Sequence, residues 1–471
     1  MARQNICTAS DSYKLTQYPQ YPPGTTKIYS FFESRGGKWP ETVFTGLLPI
    51  LDKYFAGDRV SAVDVANADD LAALHFGRRG IFNVAGWRHI VSDHFGRLPL
   101  SIKAVPEGTV VPAHNVLMTV ENTCPKCYWL TNYVETILVQ AWYPITVATQ
   151  SREIKRIVLK WLKKNGDPSL IGFKLHDFGF RGVSSVESAR IGGAAHLVNF
   201  MGTDTLVALE HIAEHYGLPC AGFSIPASEH STITSWGRDE EVKAFQNMID
   251  KFGGWMFACV SDSFNIYDAC TKLWGDQLKD RIINMDGTLV VRPDSGDPPE
   301  VVLEVLKRLG EAFGVVYNDK GYKLLHPKVR VIQGDGVNID SIEKILRRMD
   351  SYGWSADNIA FGSGGALLQK LDRDTQKMAL KASYIEGYRG GFMDLDDEHK
   401  WSRDVFKQPV TDPGKNSKAG RLKLVRKTGG GLYTQPTHLS PKEEDVLVEV
   451  FRDGEILRRD SFESIRERAA L

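Results

Sequence analysis

Cysteine is scarce, with six in 471 residues, which does not read as a disulfide scaffold and makes a reducing cytoplasm the expected compartment. Long apolar runs are missing too. None reaches the roughly 18 residues that a spanning helix needs, and the opening Met-Ala-Arg-Gln-Asn-Ile-Cys-Thr lacks the apolar stretch of a secretion signal. Neither charge sign is in excess, because 58 Lys and Arg balance 58 Asp and Glu. That removes any bulk attraction to nucleic acid or an anionic membrane, and neither is expected as a partner. Several catalytic signatures are also absent. There is no Gly-x-Ser-x-Gly elbow, no His-Glu-x-x-His zinc helix, no Gly-x-x-x-x-Gly-Lys-Ser/Thr loop and no hydrolase-like Ser-His-Asp order.

Cys124 and Cys127 form a Cys-Pro-Lys-Cys pair. A redox motif and half of a zinc site are the functional readings. With no second Cys or His pair identified at zinc-like spacing, and a helical pattern directly after, the pair reads as two unrelated thiols at a helix start.

What is present is an ordinary globular composition, 42% hydrophobic and 25% charged, in a chain long enough for two or three domains. Residues 27–33, 101–105 and 115–120 read as strands, and 128–164 as long helix interrupted near Pro144. From about residue 170, short apolar runs end near His176, Phe200, Ile225, Ser261, Arg292, Gln333 and Phe361, each followed by a helical pattern. The spacing suits βα units of about 30 residues. It predicts a parallel α/β barrel over 169–385, with 381–384 as a possible eighth strand and an open doubly wound sheet as the alternative. Residues 386–420 read as an exposed loop. The final segment returns to strand (446–451), an Asp453-Gly454 turn and a helix from Ser461, and is expected to join residues 1–168 in a discontinuous, mostly β domain of 1–168 plus 386–471.

Polar clusters follow the apolar runs: His176–Arg181, Gly202–Thr205, Ser228–Ser231, Ser261–Ser263, Arg292–Gly296, Gly334–Gly336 and Gly362–Gly365. In a parallel barrel these positions share the C-terminal mouth, where barrel enzymes build their sites. Helix capping explains any one of them, but not two His, two Arg and five Asp together. The two late Gly-rich turns present bare amides to an anion, which points to a phosphate. Arg373 lies further along the same segment, and Lys381, Lys407 and Lys415 add basic groups, each equally readable as a solvated face.

These residues carry a resemblance. Asp11-Ser-Tyr-Lys, Lys174-Leu-His-Asp-Phe-Gly, Arg181-Gly-Val-Ser-Ser, Gly202-Thr-Asp-Thr, Glu229-His-Ser-Thr-Ile-Thr, Leu289-Val-Val-Arg-Pro-Asp-Ser-Gly, Val331-Ile-Gln-Gly-Asp-Gly and Phe361-Gly-Ser-Gly-Gly run in the order seen in the nicotinamide phosphoribosyltransferase family, over nearly the whole chain. The resemblance implies an irregular α/β barrel beside a second, mostly β domain, and a homodimer with active sites at its interface. It implies transfer of phosphoribose from 5-phosphoribosyl 1-pyrophosphate to nicotinamide, with Mg²⁺ and with ATP phosphorylating a histidine, here His230. It also implies roles for individual residues. Phe178 and the partner subunit's Tyr13 sandwich the pyridine ring, and Asp204 accepts from the amide. Arg292, with Pro293 beside it, and Arg181 meet the diphosphate. Asp294 and Asp335 hold ribose hydroxyls, and Asp262 orders the charged shell or its magnesium. Gly334, Gly364, Gly365 and Arg373 hold the 5′-phosphate, with Lys381, Lys407 and Lys415 near phosphates. The magnesium ligands are left unassigned. Three features depart from the family pattern: a longer 386–403 loop, Phe180 in place of a common Tyr, and Ala379 in place of a Ser.

The nearest rival is nicotinate phosphoribosyltransferase, a relative of similar architecture. A barrel lyase or isomerase would need a Schiff-base Lys or a base at a strand end, and the seven clusters hold no Lys. A non-catalytic scaffold would not need the full set of charged rim residues.

Overall fold

The computed structural model describes residues 4–389, 397–439 and 442–471. They fall into two compact units. One comprises Met1–Thr149, His215–Gly217 and Asp372–Ala469, and the other Gln150–Glu214, Leu218–Leu371 and Ala470–Leu471. The boundaries expected from the sequence, 168/169 and 385/386, fall later along the chain than these divisions.

The first unit is built on an antiparallel sheet. Its strands lie in the order Lys400–Asp404, Met378–Tyr388, Thr25–Ser34, Val116–Asn122, Leu100–Ala104, Val448–Arg452 and Glu455–Ile456. Thr25–Ser34 is buried along almost its full length, as a central strand covered on both faces must be. Phe31, Phe32, Phe44, Trp87, Leu130 and Phe451 are among the side chains of the core. The long helical stretch is divided into Leu130–Tyr133, Glu135–Val139 and Trp142–Asn165. Pro144 falls in the first turn of the last helix, where its missing N–H costs no helical hydrogen bond.

Two expectations are corrected here. Residues 381–384 are no barrel strand: they belong to Met378–Tyr388, which pairs antiparallel with Thr25–Ser34. The 386–420 stretch is not loop throughout, because Lys400–Asp404 pairs with 384–388; residues 390–396 lie outside the described residues.

The second unit holds the parallel sheet, with the strand order Gly202–Thr203, Leu175–Asp177, Ile359–Ser363, Val329–Gln333, Thr288–Arg292 and Met256–Val260. Every neighbouring pair is parallel. The segment 223–227 then closes the ring. Phe223 bridges Gly202 at one sheet edge and Ala227 bridges Ala258 at the other, both in parallel sense. The result is an irregular barrel of seven segments in chain order, with Ile359–Ser363 returning to Leu175–Asp177. No eighth strand is needed, since the seventh already pairs with the first. Ala258, Val290 and Ile332 fill the interior, with Ile225, Ala360 and Phe178 packed against them. These modest side chains suit a narrow barrel whose centre is packed rather than hollow. Among the described residues, no helix is long and apolar enough to cross a membrane.

Candidate active site

Parallel strands place all their carboxyl ends on one rim, and hydrogen bonds join these ends into a ring. Phe178 follows the Leu175–Asp177 strand, and its amide donates to the Ser363 carbonyl at 3.0 Å. Its ring lies across Gly362, where an added Cβ would come within 1.9 Å of Phe178 Cε2. Glycine is therefore required at 362 to seat that ring. The Arg292 guanidinium sits 5.6 Å from the Phe178 ring centroid, within cation–π range. It also donates through Nε and Nη2 to Asp294 Oδ1, at 3.0 and 2.9 Å. Gly334 gives this guanidinium room, since a Cβ there would meet Arg292 Nε at 3.0 Å. Pro293 is buried between the two charged residues of its strand end.

The next arc runs through three strand ends. His230 begins the helix His230–Thr234, and its Nε2 donates to Asp262 Oδ1 at 3.0 Å. The other oxygen of Asp262 accepts from the Asp294 amide at 3.1 Å and from Ser295 Oγ at 2.6 Å. The Asp262 side chain is 4% exposed and that of His230 is 50% exposed. The carboxylate is thus a fixed anchor, and the imidazole it orients is open to a reactant.

On the opposite arc, the Asp204 amide donates to the Asp177 carbonyl at 3.0 Å. The exposed Asp204 carboxylate accepts from Ser224 Oγ. Asp177 is buried and its Oδ1 accepts from the Gly179 amide at 2.7 Å. Burial pushes its carboxyl up to about 6, with the Asp204 charge adding to the rise against hydrogen bonds that lower it. Burial lowers the pKa of the neighbouring His176 imidazole, and Asp204 partly offsets this. Gly364 and Gly365 start the short helix Gly365–Leu368. Gly182 packs on Gly365, where a Cβ would meet Gly365 Cα at 3.2 Å, so this close approach brings the exposed Arg181 turn beside the Gly-rich one. Asp335 is exposed just past the Val329–Gln333 strand, and Gly336 takes φ 66°, a left-handed backbone that favours glycine.

The structure therefore brings Phe178, Arg181, Asp204, His230, Asp262, Arg292, Pro293, Asp294, Gly334, Asp335, Gly364 and Gly365 onto one rim. The remaining expected residues belong to the other unit. Tyr13 stands there with 56% of its surface exposed. Burial lowers the Lys381 pKa and Glu135 opposes it, while Arg35, Lys14 and Arg373 act as cationic neighbours. Arg373 and Lys381 thus share a basic cluster with Lys14 and Arg35, which the sequence reading did not single out. Lys407 and Lys415 are exposed on a separate loop, where Lys415 pairs with Asp412 at 3.2 Å.

Three rim participants have no role in the sequence reading. Nothing in the sequence marks Ser224 among ordinary loop hydroxyls, and Ser295 stands there only as a member of the Arg292–Gly296 cluster, with no task of its own. Glu241 does leave a signal. It occupies the buried stripe of the helix Glu241–Phe252 with Ala244, Phe245, Met248 and Ile249, an acid where the helical period calls for an apolar side chain. Burial pushes it up to about 7, with Arg238 opposing and Asp262 adding to the rise.

The rim's carboxylate oxygens suit a hard cation such as magnesium, which takes one or two carboxylates together with substrate phosphates. An arginine that spans a ring face and a carboxylate, beside Gly-rich turns, suits an aromatic base and phosphates.

Comparison with known proteins agrees with this chemistry. Residues 173–455 match the Nicotinate phosphoribosyltransferase (NAPRTase) family, and residues 5–102 match the Nicotinamide phosphoribosyltransferase, N-terminal domain. A nicotinamide phosphoribosyltransferase of Xanthomonas campestris pv. campestris is 50% identical, over 99% of this chain and 98% of its own. One from Acinetobacter baylyi is 30% identical, over 99% and 97%. In fold, the chain is similar to a nicotinate-nucleotide pyrophosphorylase from Pyrococcus furiosus (TM-score 0.61, 16% identity, 99% of this chain and 95% of that one). It is also similar to human nicotinic acid phosphoribosyltransferase (TM-score 0.55, 14% identity, 98% and 92%). The chain belongs to the nicotinamide phosphoribosyltransferase family, a family of pentosyltransferases.

Proposed function

We propose that this chain transfers phosphoribose from 5-phosphoribosyl 1-pyrophosphate to nicotinamide, giving nicotinamide mononucleotide and pyrophosphate in NAD salvage, with ATP hydrolysis coupled through a phosphohistidine at His230. The observation that carries the reading is the rim itself. An aromatic ring, an arginine and an exposed carboxylate stand on one barrel mouth with two Gly-rich turns.

Each residue then has a task. Phe178 offers its face to the pyridine ring, and Tyr13 of the partner subunit supplies the other face in a homodimer. Asp204, buttressed by Ser224, accepts from the carboxamide N–H₂. Arg181 and Arg292 hold the diphosphate, Asp294 and Asp335 the ribose hydroxyls, and the amides of Gly334, Gly364 and Gly365 the 5′-phosphate. The parts of Arg373, Lys381, Lys407 and Lys415 in phosphate binding rest on the resemblance alone. The rim carboxylates, with Asp262 ordering the charged shell, would hold magnesium together with the substrate phosphates; when bound, it would neutralise charge on the leaving diphosphate. Pyrophosphate departs as positive charge builds on the ribose, and the pyridine nitrogen attacks the opposite face. No protein nucleophile attacks carbon.

The support for ATP coupling is geometric. The His230 Nε2–H donates to Asp262, which leaves the Nδ1 lone pair as the nucleophile for a terminal phosphate. The phosphate would add roughly −1.5 to −2 charges beside the diphosphate site.

Nicotinate is the second reading. A nicotinate carboxylate placed about 4 Å from Asp204 costs on the order of 4 kcal/mol at an effective dielectric near 20, which favours the amide.

The test is direct. The chain is mixed with nicotinamide, 5-phosphoribosyl 1-pyrophosphate and magnesium, with and without ATP, and both mononucleotide and pyrophosphate are measured. Acid-labile phosphate on His230, seen by mass spectrometry under alkaline conditions and lost in His230→Ala, is the expected companion result. Release of no pyrophosphate under any of these conditions would end the proposal.

A further inference from the structure

Two histidines and two cysteines distant in sequence meet in the first unit. The ligand-type atoms of His89, His94, Cys124 and Cys127 all lie within 4.8 Å of one another. Among the described residues, they are the one group of three or more His, Cys, Asp or Glu side chains whose ligand atoms lie this close together. We infer that His89, His94, Cys124 and Cys127 form a structural zinc site that ties the end of one helix to the turn after a strand.

The local folding explains the convergence. His89 lies in the helix Val84–Asp93, and His94 is the residue that caps it. The chain then reverses through Phe95 and Gly96, both at positive φ. Cys124 precedes the 3₁₀ turn Pro125–Cys127, and the Cys127 amide donates to the Cys124 carbonyl at 3.0 Å, so the Cys-x-x-Cys turn is closed before any metal arrives. Cys127 is buried.

The side chains are set as zinc ligands are. His89 Nδ1 lies 2.7 Å from Asp93 Oδ2. That carboxylate accepts from the Nδ1–H, which leaves the Nε2 lone pair facing Cys124 Sγ, 3.4 Å away. A carboxylate behind the histidine is the usual support of a zinc-bound imidazole. His94 Nε2 is buried with no hydrogen-bond partner among the described residues, a polar atom that a metal would satisfy. Both cysteines are free thiols. Tetrahedral zinc with two S and two N ligands needs ligand separations of about 3.3–3.8 Å, a contraction on the order of 1 Å. Binding replaces two thiol protons, which leave to solvent, and the Zn²⁺ charge is balanced by two thiolates with no change of oxidation state.

The sequence reading of Cys124 and Cys127 as unrelated thiols is corrected by this geometry. His89 and His94 do stand at a zinc-like spacing. They precede the cysteines and straddle a helix end, so no continuous motif shows them.

The experiment uses the untagged full-length chain, purified under reducing conditions and also reconstituted with Zn²⁺ alone. Elemental analysis is expected to give one zinc per chain. Cys124 and Cys127 should resist alkylation until the metal is stripped. Combining Cys127→Ser with His94→Ala should remove the zinc. Should that variant fail to fold, two further measurements decide. Asp93→Asn is expected to weaken zinc retention against a competing chelator by about 10–100-fold, and Co²⁺ loaded in place of zinc should show thiolate charge transfer and tetrahedral d–d absorption. The inference is overturned by a chain that takes up no zinc in either preparation. It is equally overturned by zinc retained in full in the folded double variant, or by a Cys124–Cys127 disulfide as the persistent state in reductant.

Discussion

The His230 imidazole donates to Asp262 at 3.0 Å, and the same carboxylate accepts from the Asp294 amide and Ser295. One buried acid thus fixes both the histidine and the loop that follows Arg292. Asp262→Asn keeps the shape but can donate where the native group only accepts, which favours the wrong imidazole tautomer. The expected result is a drop of about 10²–10⁴-fold in the rate of histidine phosphorylation by ATP. Single-turnover labelling with ATP measures it, and an unchanged rate would remove Asp262 from the coupling step.

Gly362 seats the Phe178 ring. In Gly362→Ala the new methyl would stand 1.9 Å from Phe178 Cε2, so the ring must shift from its seat. On the role proposed for Phe178, the pyridine base then loses its stacking partner. We expect kcat/KM for the base to fall about 10–100-fold, with a destabilisation of about 1–3 kcal/mol from the overpacked ring, measured by initial rates and thermal melts.

Glu241 carries a pH signature. Burial is the main cause that pushes its carboxyl from 4.5 up to about 7, so the unfolded chain ionises first as pH rises. The stability it allows is fully present below about 4.5 and is lost as pH climbs through about 7. Glu241→Gln has no such loss. The melting temperature of the variant relative to wild type should therefore rise between those two pH values and level off above them. A difference that does not vary with pH would contradict this.

Lys174 pins the seam where the barrel closes. It is buried, and its ammonium donates to the carbonyls of Ala356, Asp357 and Ile359 at 3.0, 3.1 and 2.8 Å. Lys174→Met leaves those acceptors without their donor. Destabilisation of about 2–4 kcal/mol is expected, read as a lower denaturant midpoint.

Much of the barrel was legible because each strand is a short apolar run stopped by a polar cluster. His176, Ile225, Ser261, Arg292, Gln333 and Phe361 all mark observed strand ends or bridging segments, while Phe200 falls just before the short Gly202–Thr203 strand rather than at its end. Residues 381–384 have the same texture as a barrel strand, and only pairing with Thr25–Ser34 places them in the other sheet. Periodicity reports burial but not partners. The rim residues were legible as clusters, whereas Ser224 and the task of Ser295 were not, since a hydroxyl matters there only through the carboxylate it meets. Lys14, present only as the last residue of Asp11-Ser-Tyr-Lys, and Arg35 had no task for the same reason, because their link to Arg373 and Lys381 exists only after folding.

The account rests on Asp204 meeting an uncharged carboxamide. The most direct measurement is kcat/KM of the wild-type chain for nicotinamide and for nicotinate under identical conditions, repeated in Asp204→Ser. The account predicts a preference for nicotinamide of about a thousandfold, set by the repulsion between two carboxylates, which shrinks sharply in the variant. Equal turnover of the two bases by the wild type, or a preference that survives Asp204→Ser unchanged, would contradict it.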